Sequence, residues 1–175
     1  MQETKLSNFK YENVILQESH WKAQRSELIE TYLSIESGEY LHYFKKIAGI
    51  EDNFNGLVGW YGNNACTFGQ KLSAMVKLYK ETGDRRLFLK AIELADGWGE
   101  SVKKSKEVVD INGTYVYDKL MGGFLDLYEY LNYTEALVYV EELTKSAIRR
   151  FRKEIPRDGF QNDGMGPDMI EWYTL

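Results

Sequence analysis

The sequence predicts an all-α fold of paired helices, and three observations carry that prediction. A repeat of 49 residues sets the segment from Phe68 to Asp84 on the segment from Tyr117 to Tyr133, so that Leu78-Tyr79 falls on Leu127-Tyr128 and Ser73-Ala74 on Gly122-Gly123. Within each unit the apolar residues recur at helical spacing. Each unit is also divided by turn chemistry, Gly83-Asp84 in the first and Asn132-Tyr-Thr134 in the second. Paired-helix units of this period stack or close into rings, because a single hairpin cannot bury its apolar face alone.

The elements follow in order. Asn13-Val-Ile-Leu16 reads as a short strand or extended lead-in, and Ser19 is an N-cap for a helix to about Ile35 with Leu28, Ile29, Tyr32 and Leu33 at helical spacing. Gly38 is expected to break it. Glu39 to Ile47 gives the next helix, ended by Ala48-Gly49, and a Gly- and Asn-rich loop containing Gly59-Trp-Tyr-Gly62 leads to a helix over 67–82. Gly83 suits a left-handed helix end, and Asp84 caps a helix to about Lys103. Val108 to Tyr117 carries an Asn-Gly turn between β-branched and aromatic residues, which predicts a small β-hairpin near 108–117. Helices over 118–131 and from Thr134 to about Lys153 complete the second unit. After a loop to Pro167, Asp168-Met-Ile-Glu-Trp-Tyr-Thr-Leu175 opens a further helix.

With 175 residues and 43% hydrophobic content the chain has material for one domain with a real core. The net charge of −5, with lysines and arginines interspersed among acids, argues against a nucleic-acid partner. Cys66 is the one cysteine, so the chain offers neither a disulfide framework nor a thiolate set for zinc. No run resembles a signal peptide or approaches the ~20 apolar residues of a membrane span, which reads as a cytoplasmic chain with no membrane partner.

Val14-Ile-Leu-Gln-Glu-Ser19, Gln24-Arg25, the segment from Glu39 to Gly49, Gly59-Trp60, Phe68-Gly-Gln-Lys-Leu-Ser-Ala74, Thr82-Gly-Asp84, Asp118-Lys119 and Glu171-Trp-Tyr-Thr-Leu175 occur in that order. In order and spacing they resemble the N-terminal half of the bacterial β-L-arabinofuranosidase-like glycoside hydrolases, family 127. The resemblance implies about half of an (α/α)6 toroid, with 1–175 as the N-terminal portion of one catalytic-type domain, truncated at its C-terminal side. It also implies hydrolysis of terminal furanosides or related sugars of plant polysaccharides or glycoproteins. Family members often carry histidine where this chain has Gln70 and Asp118, which leaves the sugar open. The family's zinc-held cysteine nucleophile and glutamate acid/base belong to the second half of the toroid. No catalytic residue carries over, zinc belongs to full-length relatives, and this chain by itself is expected to be inactive.

Residues at the mouth of such a ring are the ligand candidates. Gln70, Asp118 and Lys119 occupy matching places in the two repeats and either hydrogen-bond sugar hydroxyls or cap helices. Trp60 and Tyr61, between glycines, are either a platform for a sugar ring or a loop anchor. Asp163, Asp168 and Glu171 surround the start of the third inner helix. Glu171 is the one weak catalytic candidate, since glycoside hydrolysis needs a carboxyl group beside the scissile bond. Cys66, His20 and His42 read as structural. Two readings stand beside the hydrolase: a non-catalytic helical-repeat interaction module, and another (α/α)6 sugar enzyme such as a lyase, unsaturated-uronyl hydrolase or epimerase. Half a ring would leave the last hairpin and the Ile170–Leu175 stretch uncovered, from which self-association or dependence on a C-terminal half is expected.

Overall fold

The computed structural model describes residues 15–59, 67–110 and 114–150, and among these every regular element is a helix. Helix α1, His20–Ser34, starts where Ser19 Oγ accepts the Lys22 amide at 3.3 Å. It stops at Ile35, whose backbone is extended. Helix α2, Ser37–Ile47, therefore begins before the expected breaker, and Gly38 lies buried in its first turn. Glycine is needed there for room, since a Cβ would stand 2.0 Å from the Phe54 ring.

Helix α3, Phe68–Thr82, ends at Gly83, whose φ of +72° lets its amide return to the Tyr79 carbonyl at 2.7 Å. Asp84 Oδ1 accepts the Arg86 amide at 3.0 Å and starts helix α4, Arg85–Lys104. The short helix α5, Glu107–Asp110, then leads to α6, Thr114–Leu131, and α7, Glu135–Arg150. The hairpin expected near 108–117 is thus a correction, because residues 107–110 and 114–117 are helical. Val108 and Val109 are buried, Ser146 Oγ and Arg149 of α7 both donate to Asp110 Oδ1, and this packing outweighs the local strand signal. The helix expected from Asp118 begins four residues earlier for the same reason.

Contacts along the chain give each helix its direction. Gly69 lies against the backbone of Lys119 and Leu120, Gly123 against Gly69, and farther along Ser73 bonds Asp126. Partners rise together in number, so α3 and α6 are parallel. Likewise Lys90 reaches the Ile35 carbonyl, Gly97 faces Leu41, Tyr133 donates to Asp96 and Lys106 pairs with Glu142, so α2, α4 and α7 run parallel to one another. The tight turn at Gly83 sets α4 against α3. Two layers result, α3 and α6 in one and α2, α4 and α7 in the other, running in opposite senses.

Trp98 is the centre of the core. It is fully buried, and the rings of Phe124, Tyr139 and Phe44 lie 4.7, 5.5 and 6.4 Å from it. Phe68 meets Phe44 edge-on at 4.8 Å, so one aromatic cluster ties five helices together.

The glycines of the repeat separate packing from propensity. A Cβ on Gly69 would stand 1.8 Å from the Lys119 carbonyl oxygen, whereas nothing lies within 4 Å of one on Gly122. Gly69→Ala should therefore lower unfolding stability in urea by about 1–3 kcal/mol. Gly122→Ala should be neutral or raise it, by up to about 1 kcal/mol. Equal losses at both positions would contradict the close backbone contact.

Candidate functional site

Because α3 and α6 are parallel and packed near the register of the repeat, their N-terminal ends share one end of the molecule. Gln70 is exposed in the first turn of α3, next to the glycine that touches the Lys119 carbonyl. Asp118 is half-buried in the second turn of α6 rather than the first. Lys119 Nζ lies 2.6 Å from Asp118 Oδ2 and 4.9 Å from the centre of the Tyr115 ring. Lys119 is thus held between a carboxylate that balances its charge and an aromatic face, which together orient its ammonium. Of the seven residues expected at the mouth, Asp118 and Lys119 form an ion pair, and Gln70 follows the glycine that lies against the Lys119 backbone. Trp60, Tyr61, Cys66, Asp163, Asp168 and Glu171 lie outside the described residues.

Beside this end lies a cavity of about 150 Å³ between α2, the 55–57 segment and the start of α3. Glu39, His42 and Lys46 line it from α2, Lys71 from α3, and Tyr40 and Tyr43 supply aromatic surface. Its size suits one small ring or a few waters rather than an extended ligand, for which pockets run from about 300 Å³ upward. Lys71 and Lys90 place their Nζ atoms 5.6 and 5.8 Å from the Tyr40 ring centre. Burial pushes the Tyr40 phenol well above its ordinary value and the Lys90 ammonium below its own.

Sequence reasoning read His42 as structural and passed over Asp52. His42 Nδ1 stands 2.7 Å from Asp52 Oδ1, which also accepts the Phe54 amide at 3.1 Å. A carboxylate at that distance requires the proton on Nδ1 and turns Nε2 into the free ring position. Asp52 Oδ2 is buried without a hydrogen-bond partner. Phe54 in the Gly38 notch and Gly56 against the His42 ring complete a strap across α2. No periodicity links a helix residue to a loop residue ten positions later, so the pair has no sequence signal.

A second cluster joins the parallel helices. Ser73 Oγ donates to Asp126 Oδ2, and Lys77 Nζ lies 2.8 Å from the same oxygen and 2.9 Å from Ser73 Oγ. The repeat sets Ser73 on Gly122, so only one unit carries this polar tie.

Comparison of the chain with protein-family models, with curated proteins and with solved structures finds no match. Among the described residues no three His, Cys, Asp or Glu side chains converge, so they supply no zinc cage, and no helix is long and apolar enough to cross a membrane.

Burial raises the Asp52 carboxyl, but the hydrogen bonds from His42 and the Phe54 amide, with the charges of His42 and Lys45, outweigh it and hold it below the usual carboxylate range. A carboxyl lowered on folding stabilises the fold fully above about pH 4, and that stability is lost as pH falls through the folded value. Asp52→Asn should lower the neutral-pH melting midpoint by about 2–8 °C, for the loss of about 1–2 kcal/mol of hydrogen bonding. It should also flatten the decline of stability between about pH 4 and pH 2. Calorimetry across that range checks both, and an acid limb as steep as the parent's would contradict the assignment.

Proposed function

We propose that this chain is the N-terminal share of a carbohydrate-acting (α/α) toroid of the β-L-arabinofuranosidase-like kind, contributing part of the mouth that receives the sugar. The observation that supports the reading is the parallel pairing of α3 and α6. It sets Gly69, the residue before Gln70, against the Lys119 backbone, beside the Asp118–Lys119 pair. An amide, a carboxylate and an ammonium together offer donors and acceptors to neighbouring hydroxyl groups. A furanose carries such hydroxyls and no net charge, and it fits a site whose cation is already balanced by Asp118. The family-like motifs from Val14 to Leu175 point to the same chemistry.

In this reading Gln70 and Asp118, standing where relatives often carry histidine, orient hydroxyls rather than move protons. Bond cleavage is the task that the resemblance assigns to a cysteine nucleophile and a glutamate acid/base, neither of which carries over to a described residue. In this reading the part played by Gln70, Asp118 and Lys119 is binding.

Titration with L-arabinose and methyl β-L-arabinofuranoside, followed by amide chemical shifts, tests the reading. The expected result is saturable shifts at Gln70, Asp118 and Lys119, weakened about tenfold in Gln70→Ala or Asp118→Ala, equivalent to roughly 1.4 kcal/mol each. Shifts confined to other residues, or none at sugar concentrations of tens of millimolar, would overturn it in favour of a helical-repeat interaction module. Aryl arabinofuranosides should remain uncleaved. Turnover abolished by Glu171→Gln would instead make Glu171 catalytic.

A further inference from the structure

His42 stands between two concavities. Asp52 lies on the Nδ1 side of its ring, in an open groove with Gly49, Ile50, Glu51 and Asn53. Gly56 of the strap lies on the other side, where a Cβ would come within 3.0 Å of Cδ2, and Gly56 also lines the small cavity between α2 and the start of α3. Cδ2 is the ring atom bonded to Nε2. With Nδ1 held by the carboxylate in the groove, the Nε2 edge therefore turns towards the cavity.

Two helices supply the charge. On α2, His42, Tyr43 and Lys46 follow Glu39 by three, four and seven residues, the spacing of one helix face, and all four line the cavity. Lys71 enters from α3, its Nζ 5.6 Å from the centre of the Tyr40 ring. Among the described lining residues, two ammonium groups and a directed imidazole thus face a single carboxylate. Glu39 is seven residues from Lys46, about 10 Å along the helix axis, so it does not neutralise the Lys46 end. Lys46 is exposed and His42 half-buried, which places a cation at the rim and a ring nitrogen within.

We infer that this cavity binds a small oxyanion, either a tetrahedral phosphate-type group or a small carboxylate, on Lys46 Nζ, Lys71 Nζ and Nε2–H of His42. Charge-assisted N–H···O bonds of this kind are roughly twice as strong as neutral ones. Both ring nitrogens donate in the protonated imidazole, so the same ring serves Asp52 on one side and the anion on the other. A volume of about 150 Å³ admits one such ion with a few waters and excludes an extended ligand. At the mouth, by contrast, Lys119 already has its carboxylate in Asp118. The two sites differ in residues and in charge, and the inference stands or falls separately from the carbohydrate reading.

The test titrates the full chain with sodium phosphate, sulfate and acetate in a chloride background of matched ionic strength, following the ring nitrogens of His42 and the amides of α2 by magnetic resonance. Saturable shifts at His42 and Lys46 are expected in the millimolar range. Saturation by phosphate and sulfate but not acetate assigns a tetrahedral dianion, and saturation by acetate assigns a carboxylate; either supports the inference. Affinity should fall about tenfold in Lys46→Gln and in His42→Gln, the loss of one charge-assisted bond each. Lys145→Gln, which removes a charge from α7, should leave it unchanged. No saturation at tens of millimolar, or equal weakening by Lys145→Gln and Lys46→Gln, would overturn the site, the second result by showing general attraction to net charge. If His42→Gln does not fold, Lys46→Gln decides, because that side chain is exposed and its loss leaves the core intact.

Discussion

Two glycines let the backbones of α3 and α6 meet, and most of the architecture follows from that contact. With a Cβ at Gly69 or Gly123 the helices would have to separate, because what each would strike is main chain rather than a flexible side-chain end. The close approach sets the two helices parallel near the register of the repeat. It also leaves room for the Ser73, Lys77 and Asp126 cluster one turn farther on. The N-terminal ends of both helices thereby lie at one end of the pair, where Gly69, the residue before Gln70, sits against the Lys119 backbone.

The second layer answers to a different force. Trp98 touches aromatic rings from α2, α6 and α7, and the area these rings bury ties the two layers together more than any polar contact does. Its indole Nε1 is buried without a partner, a cost that the surrounding packing outweighs. Gly97 and Gly99 make the arrangement feasible, giving space to Leu41 and to the Tyr139 ring respectively. Near Tyr139, Tyr133 donates to Asp96, and burial together with that carboxylate pushes its phenol far above the ordinary value.

The strap over α2 shows how a polar feature forms where sequence patterns are silent. Phe54 fills the Gly38 notch, and this anchoring brings Asp52 within reach of His42. The result is an oriented imidazole at the edge of a small cavity, built from a helix and a loop whose residues share no periodicity. The pairing of α3 with α6, by contrast, was legible in the repeat, because matching positions in two units lie at matching places when the units pack alike.

By itself the sequence determined the helical class, the two-unit repeat and most helix ends, because caps such as Ser19 and Asp84 and the left-handed Gly49 and Gly83 act through local backbone chemistry. Tertiary packing decided the rest. The Asn-Gly segment after Val109 joins two helices instead of two strands, because Val108 and Val109 find burial against α7 that a two-stranded ribbon would not provide. The use of Gly38 as a socket, the His42–Asp52 pair and the direction of every helix relative to its neighbours likewise depend on contacts between residues far apart in sequence. Local propensity carries no information about such contacts; they are settled only when the layers close.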